Sequence, residues 1–332
     1  MIKRKILLFR NPTSSDLEAR VTRRKNAANL SVLSNTCLIV SKLAVGLAIG
    51  SISVISEAIH SSVDLMAAII AVIAIRIAAR SADKSHPYGH GKFENLSGTI
   101  ESLLIFVGAG VIIIESLQKF GHETETDTAF WGVIVMGVSA LINTGVSRYL
   151  YRVARETDSV ALKADAAHLH TDVITSLGVL TGLALVWITG WSWLDPLTAL
   201  AVAFLIIHAG WEILIHSVSG LLDASLPVEE ELKISSVIES FQEQFINFHG
   251  LRTRQSGPDR HIDFHLVVHN EMTALDSHRL CDRLEESLCQ IINGAIIQVH
   301  VEPQSVCTNV DGFFICSTAQ LSRRQKMLDY VE

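Results

Sequence analysis

Charged residues are scarce in this sequence of 332 residues. Asp, Glu, Lys and Arg make up only 18% of the chain, whereas a soluble globular domain carries about 25%. Long stretches are almost free of charge, and 49% of the residues are hydrophobic. This composition disfavours a soluble protein and predicts an integral membrane protein with several apolar helices.

Cysteine pairs and basic tracts are also missing. The five cysteines form no C-x-x-C pair and are odd in number, which favours a reducing cytosolic compartment over a disulfide framework. Because no basic tract is interleaved with aromatic residues, nucleic acid is not expected as a partner. The N-terminal segment lacks an apolar core long enough for a signal peptide, so we expect the first helix to be kept as a membrane anchor.

Six apolar stretches are long enough to cross about 30 Å of hydrocarbon. They run approximately over residues 30–50, 52–79, 97–119, 128–152, 160–189 and 194–217. Lysine and arginine gather in the N-terminal segment and in the loops after the second and fourth stretches. The positive-inside rule therefore predicts a multi-pass protein of the cell (inner) membrane with both termini in the cytosol.

The C-terminal part of the sequence has shorter and more regular patterns. Two segments with helical periodicity and three with alternating or strand-like character follow in the order α-β-β-α-β, which predicts a small cytosolic α+β domain. We therefore divide the chain into a cytosolic segment 1–29, a six-helix transmembrane domain 30–220, a cytosolic α+β domain 221–305 and a loosely ordered tail 306–332.

Four ionisable residues lie inside the predicted spans at matching distances. His60 and Asp64 are four residues apart on the second span, and His168 and Asp172 repeat that spacing on the fifth. Each pair projects from one helix face, and a rise of about 1.5 Å per residue brings both pairs to mid-bilayer. Two imidazoles and two carboxylates suit tetrahedral zinc. The alternative is a buried polar network that clamps two helices, but each carboxylate costs at least about 2.5–3.5 kcal/mol to insert, which favours a functional metal site.

Two further acidic residues, Glu57 and Asp165, lie three positions before each histidine. They are either cation-attracting groups on the path to the site or solvated residues near helix ends. The sequence leaves both interpretations open.

The alternating segments of the C-terminal domain also present possible ligands. In RHIDFHLVVH the apolar positions would face the core, which leaves His261, Asp263 and His265 on the other face of the strand. In IIQVHVEP, His300 and Glu302 occupy the corresponding non-core positions. A metal site and an ordinary solvated strand face both fit this pattern.

Six segments together resemble the cation diffusion facilitator family, over residues from about 30 to 305. They are SISVISEAIHSSVDL, HPYGHGKFENL, ADAAHLHTDVITSLGVL, GLLDASLP, HGLRTRQSGPDRHIDFHLVV and QVHVEP. The resemblance implies a homodimeric, proton-coupled exporter with six transmembrane helices and a ferredoxin-like αββαβ cytosolic domain.

The same resemblance implies three sets of metal ligands. The transport site falls on His60, Asp64, His168 and Asp172. A second site falls on Asp83, His86 and His90, whose histidines can also be plain exposed loop residues. The cytosolic zinc site falls on His249, His265, His278, His300 and Glu302. Lys92 and Asp223 match a salt bridge at the membrane–cytosol junction of the dimer, although two unpaired interfacial charges would fit as well.

The intramembrane ligands together with the family resemblance imply a divalent-cation exporter that moves zinc out of the cytosol in exchange for protons. Many bacterial relatives have aspartate at the position of His60, and histidine there favours zinc over cadmium or iron. The alternatives are a Cd²⁺ or Fe²⁺ exporter of the same family and a non-transporting metal-sensing membrane partner. An enzyme is not predicted, because HETET around His122 lacks the second histidine of H-E-x-x-H and no paired nucleophile and base is present.

Overall fold

The computed structural model describes residues 14–49, 52–119, 129–191, 193–306, 308–310 and 313–315. Between Leu222 and Asp223 the chain divides into two compact units. The first unit is helical, and the second combines helices with a small sheet.

Within these ranges the first unit contains six long helices. They are α1 (Ser14–Ile49), α2 (Ile52–Ala78), α3 (Lys92–Lys119), α4 (Ala129–Thr157), α5 (Val160–Thr189) and α6 (Leu194–Leu221). By length and composition, five of them are able to cross a membrane on the residues described: α1, α2, α3, α5 and α6. Helix α4 has 29 residues and a length of about 43 Å, which exceeds the hydrocarbon thickness of about 30 Å.

The helices extend beyond the apolar stretches that predicted them. Helix α1 begins at Ser14 rather than near residue 30, and its early residues Ala27 and Ala28 are buried in the helical core. Helix α3 begins at Lys92, and α4 continues to Thr157. The difference arises because hydropathy marks only the part of a helix that lies in hydrocarbon, whereas a helix continues into water wherever its backbone and packing allow.

Neighbouring helices of the first unit pack in pairs. Helix α3 packs against α6, α1 against α2, and α4 against α5. Glycines permit the close contact of α3 with α6: a Cβ at Gly98 would collide with Ser217, and one at Gly220 would collide with Asn95. Small residues at helix contacts are the usual means of close packing in membranes.

In the second unit, two helices pack on one face of a three-stranded sheet. Its elements are α7 (Val228–Glu239), β1 (Asn247–Ser256), β2 (Asp259–Val268), α8 (Ala274–Ile291) and β3 (Ala295–Pro303). The strand order is β1-β2-β3, with β1 antiparallel and β3 parallel to the central β2. The order α-β-β-α-β is the predicted one.

The predicted alternation of β2 is confirmed by burial. Its core face carries Ile262, Phe264, Leu266 and Val268, all buried against the two helices. On the other face Asp263 is exposed, but His261 is buried, so this face is not uniformly solvated.

The described residues of the predicted irregular tail include a pair of short strands. Residues Thr308–Val310 (β4) and Phe313–Ile315 (β5) pair as two short antiparallel strands. The remaining tail positions from 316 onward lie outside the described residues.

Candidate metal centres

A buried cluster of three possible ligands joins α2 and α5. Asp64 Oδ1 lies 3.1 Å from His168 Nε2, and ligand atoms of Asp64, His168 and Asp172 all lie within 4.8 Å of one another. Asp64 and His168 are buried, and Asp172 is half-buried. The structure thus brings together three of the four residues predicted from helix spacing. The backbone of His60 is part of α2, but its side chain lies outside the described residues, as does that of Glu57.

Small residues allow the two helices to bring these groups together. Within seven residues of these ligands, both helices carry buried alanines: Ala67, Ala68 and Ala71 on α2, and Ala164, Ala166 and Ala167 on α5. Near Asp64, Lys42 of α1 is buried and its Nζ donates a hydrogen bond to Ser61 Oγ at 2.7 Å. An imidazole and two carboxylates in such a place form a donor set that accepts a divalent metal ion.

The loop between α2 and α3 holds a second cluster, Asp83, His86 and His90. His90 Nε2 lies 3.4 Å and His86 Nδ1 lies 3.5 Å from the oxygens of Asp83. Hydrogen bonds from the side chain of Ser85 and the backbone N–H of His86 lower the pKa of Asp83 to about 2. His90 is buried while the other two are exposed, so the loop presents an ionised carboxylate beside two imidazoles.

The third cluster lies on the sheet of the C-terminal unit and is centred on Glu302. Its carboxylate oxygens lie 3.2 Å from His249 Nε2 and 2.8 Å from His265 Nδ1. Strand register explains the grouping, because His265 of β2 pairs with His249 of β1 and with His300 of β3. Burial lowers the pKa of His249 in spite of the nearby Glu302 carboxylate. A neutral imidazole is the form that binds metal.

A β-bulge next to His249 shapes this cluster. The register of β1 shifts between His249 and Arg252, and Gly250 adopts a positive φ of 66°. A Cβ at Gly250 would lie 3.2 Å from Cδ2 of His265. Glycine is therefore required both by its backbone conformation and by the nearby imidazole.

Two predicted ligands of the C-terminal domain are not members of the three-residue cluster. His300 is exposed, with Nε2 3.6 Å from Glu302 and its ring centroid 4.9 Å from that of His265. His278 is exposed on α8 and its Nδ1 lies 3.7 Å from Asp282. Within one protomer, His300 borders the cluster and His278 does not join it.

The predicted junction residues have partners of their own. Lys92 Nζ donates to the carbonyl oxygen of Leu221 at 3.2 Å, and Asp223 accepts a hydrogen bond from Arg254 at 3.1 Å. Neither charge is therefore an isolated interfacial group.

Two protein-family models match this chain, one over the helical unit and one over the C-terminal unit. Residues 28–222 match the cation efflux transmembrane domain. Residues 226–304 match the cytoplasmic domain of cation efflux proteins, in a family named for dimerisation. The protein belongs to the cation efflux family, also called the cation diffusion facilitators. It is thus a multi-pass cation efflux transporter rather than an enzyme, and the predicted fold class is confirmed.

Several curated relatives cover most of this cation efflux protein. An uncharacterized transporter of Synechocystis is 37% identical over 254 residues, which are 76% of this chain and 82% of the relative. The cation-efflux pump FieF of Klebsiella pneumoniae is 30% identical over 80% of this chain and 88% of its own length. A solved structure of the putative zinc transporter CzrB in its zinc form shares 38% identity over 24% of this chain and 92% of that chain, with a TM-score of 0.24.

Sequence patterns missed four buried charged groups among the described residues of the helical unit. Glu94 is buried in a contact with Arg24 of α1, Lys42 is buried beside α2, and Glu101 is buried on α3. Each of them is an ionisable residue in or beside an apolar stretch. Such a residue usually has a function or forms an ion pair. They lack the repeated four-residue spacing that made the α2 and α5 pairs visible.

Proposed function

We propose that this protein exports Zn²⁺ from the cytosol in exchange for protons, and that His60, Asp64, His168 and Asp172 form the transport site. The observation that carries the proposal is the convergence of Asp64, His168 and Asp172 within 4.8 Å in the helical unit. Imidazole ligands favour zinc over the harder manganese ion. The curated FieF relatives, which are described as cation-efflux pumps, support export as the direction.

The transport cycle follows from the protonation of these ligands. When the site is open to the cytosol, it binds the metal and releases protons, because imidazole and carboxylate ligands must be deprotonated to coordinate an ion. When it opens to the other side, protons return to the ligands and displace the metal. The transmembrane potential adds about 2.3 kcal/mol per charge per 100 mV to inward proton movement, so a membrane that maintains a proton gradient drives export.

The C-terminal domain is proposed to sense zinc and to stabilise a homodimer. His249, His265 and Glu302 supply the core of its ligand set, with His300 beside them, and His278 of α8 is a further candidate ligand. The loop site of Asp83, His86 and His90 would bind a further ion, and Lys92 and Asp223 are candidates for the membrane–cytosol junction of the dimer. The proposed location is the inner cell membrane with both termini in the cytosol.

Metal uptake into proteoliposomes under an imposed pH gradient tests the transport site. We expect His168→Ala, Asp64→Ala and Asp172→Ala to abolish zinc uptake, while detergent-solubilised dimers remain intact. His170→Ala is the matched control, because His170 lies two residues from His168 on α5 but is exposed. Zinc uptake at the wild-type rate by Asp172→Ala would refute the assignment. Comparison of zinc with cadmium, iron and manganese in the same assay tests the metal preference.

Regulation by the C-terminal domain has a separate test. Replacement of His265 and His300 by alanine should remove the dependence of the transport rate on cytosolic zinc while leaving the transport site able to bind. Unchanged zinc dependence in this double variant would count against a sensing role.

A further inference from the structure

Two glutamates on α3 are fully buried, but only one of them is neutralised. Glu94 lies 2.7 Å from an Arg24 guanidinium nitrogen and accepts a 2.6 Å hydrogen bond from Ser159. Glu101, seven residues further along the same helix, accepts one hydrogen bond from Ser97 at 2.9 Å. Its Oε2 is buried and has no hydrogen-bond partner among the described residues.

An equally buried aspartate on α5 shares this property. Asp165 is completely buried, and neither of its carboxylate oxygens has a hydrogen-bond partner in the described part of the chain. This burial rules out the interpretation of Asp165 as a solvated helix-end residue. The hydroxyl of Ser31 on α1, also fully buried, faces the Asp165 carboxylate but makes no hydrogen bond of ordinary geometry with it.

Glu101 and Asp165 lie at the same level of the helical unit. The Glu94–Ser159 hydrogen bond fixes α3 beside the start of α5. From that contact Glu101 is seven residues along α3 and Asp165 is six residues along α5, which correspond to about 10 and 9 Å of rise. The two carboxyl groups interact electrostatically. His168 follows Asp165 by three residues, about 4.5 Å further along the helix.

The charges near this pair do not neutralise it. The charged or titratable groups that act on Asp165 are His168 and Asp64, and those that act on Glu101 are Asp165 and His168. The His168 imidazole therefore interacts with four carboxyl groups: those of Asp64, Asp172, Glu101 and Asp165. Buried carboxylates without a counter-charge are strongly disfavoured even where, as in Glu101, one oxygen accepts a hydrogen bond. Two carboxylates match the charge of one divalent cation.

The geometry points to a second cation position, formed by Glu101, Asp165 and Ser31, that binds a divalent metal ion in transit one helical turn from the transport site. This inference rests on the proposed function, since it places the ion on the way to His168 and Asp64. All its donors are oxygens, from three helices. Hard divalent cations such as Mn²⁺ prefer oxygen ligands, so this position is expected to accept ions that the imidazole-containing transport site discriminates against.

Zinc uptake kinetics in proteoliposomes test the position, with metal supplied to the cytosolic face of the full-length protein. We expect Glu101→Gln and Asp165→Asn to raise the KM for zinc by about 10-fold or more and to change kcat little, because the final ligands are intact. Glu101→Asp should restore much of the wild-type KM. Glu115→Gln, on an exposed position of the same helix, should match the wild type.

A competition experiment separates a metal position from a purely structural or protonated pair. Mn²⁺ at the cytosolic face should inhibit zinc uptake competitively in the wild type and in Glu115→Gln, but more weakly in Glu101→Gln. Equal inhibition in all three proteins, or a wild-type KM in Glu101→Gln, would overturn the inference. So would a lowered kcat at unchanged KM, which would indicate proton binding alone. Loss of uptake in Asp172→Ala alongside an unchanged Glu101→Gln would reject this position while leaving the proposed function standing.

Discussion

The buried ion pair between α1 and α3 is the sharpest test of how the helical unit is held together. Arg24 and Glu94 lie 2.7 Å apart, with only 7% and 0% of their side chains exposed. Arg24→Ala leaves the Glu94 carboxylate buried without its counter-charge, which costs about 3–5 kcal/mol. Because Ser159 still donates a 2.6 Å hydrogen bond to Glu94, we expect the lower end of that range.

The neighbouring Arg23 provides a matched control on the same helix. It pairs with Glu156 at 3.0 Å, but the two side chains are 60% and 40% exposed. An exposed pair of this kind contributes about 0–1 kcal/mol, so Arg23→Ala should be nearly neutral. Stability is measured as the free energy of unfolding in mixed detergent micelles for both variants.

A third variant separates the charge from the packing of this pair. Removal of both charges in Arg24→Met/Glu94→Leu should recover most of the stability lost in Arg24→Ala, since a buried pair replaced by apolar side chains is often neutral. If Arg24→Ala and Arg23→Ala destabilise the protein equally, burial of the Glu94 charge is not what makes the first pair important.

Three further predictions concern the sheet cluster. Gly250→Ala should destabilise the C-terminal domain by about 1–3 kcal/mol, because alanine must adopt a positive φ against the His265 ring. Differential scanning calorimetry measures this loss, and an unfolding temperature equal to that of the wild type would contradict the prediction. Glu302→Gln should weaken zinc binding by about 10- to 100-fold in equilibrium titrations, and unchanged affinity would exclude Glu302 as a ligand. The lowered pKa of His249 adds stability above a pH of about 6.5 that is lost as the pH falls. His249→Phe should therefore lose less stability than the wild type between pH 7 and pH 5, and equal losses would argue against this effect.

Much of the fold follows from periodicity in the sequence. Hydropathy located the helices because a membrane span must be apolar over about 20 residues, and strict alternation located β2 and its buried face. The start of α1 was not predictable in this way, because Ser14 to Lys25 is a polar helix that continues from the span. The β4–β5 pair was also missed, since strands of three residues are too short for an alternating pattern.

The sequence also predicted some features of the candidate sites and not others. Spacing of four residues on α2 and α5 predicted which residues share a helix face, and the structure brings Asp64, His168 and Asp172 together. Sequence could not show that Glu101 lies level with Asp165, because that depends on how α3 and α5 align. The grouping of His249 with Glu302 was expected only from the family resemblance, because strand alternation does not reveal the bulge in β1 that lies beside His249.

For the zinc export proposed above, we expect His168 to be the ligand on α5 that favours zinc over harder ions. Asp165, His168 and Asp172 follow one another at intervals of three and four residues, so they form one stripe along the helix. Their steps are about 4.5 and 6 Å, and an ion that moves along the stripe meets oxygen, then imidazole nitrogen, then oxygen. Only the middle ligand prefers zinc to harder ions, so His168→Asp should retain transport but raise the rate for Mn²⁺ relative to Zn²⁺. Parallel uptake assays with the two metals measure this ratio, and a ratio equal to that of the wild type would show that discrimination resides elsewhere in the site.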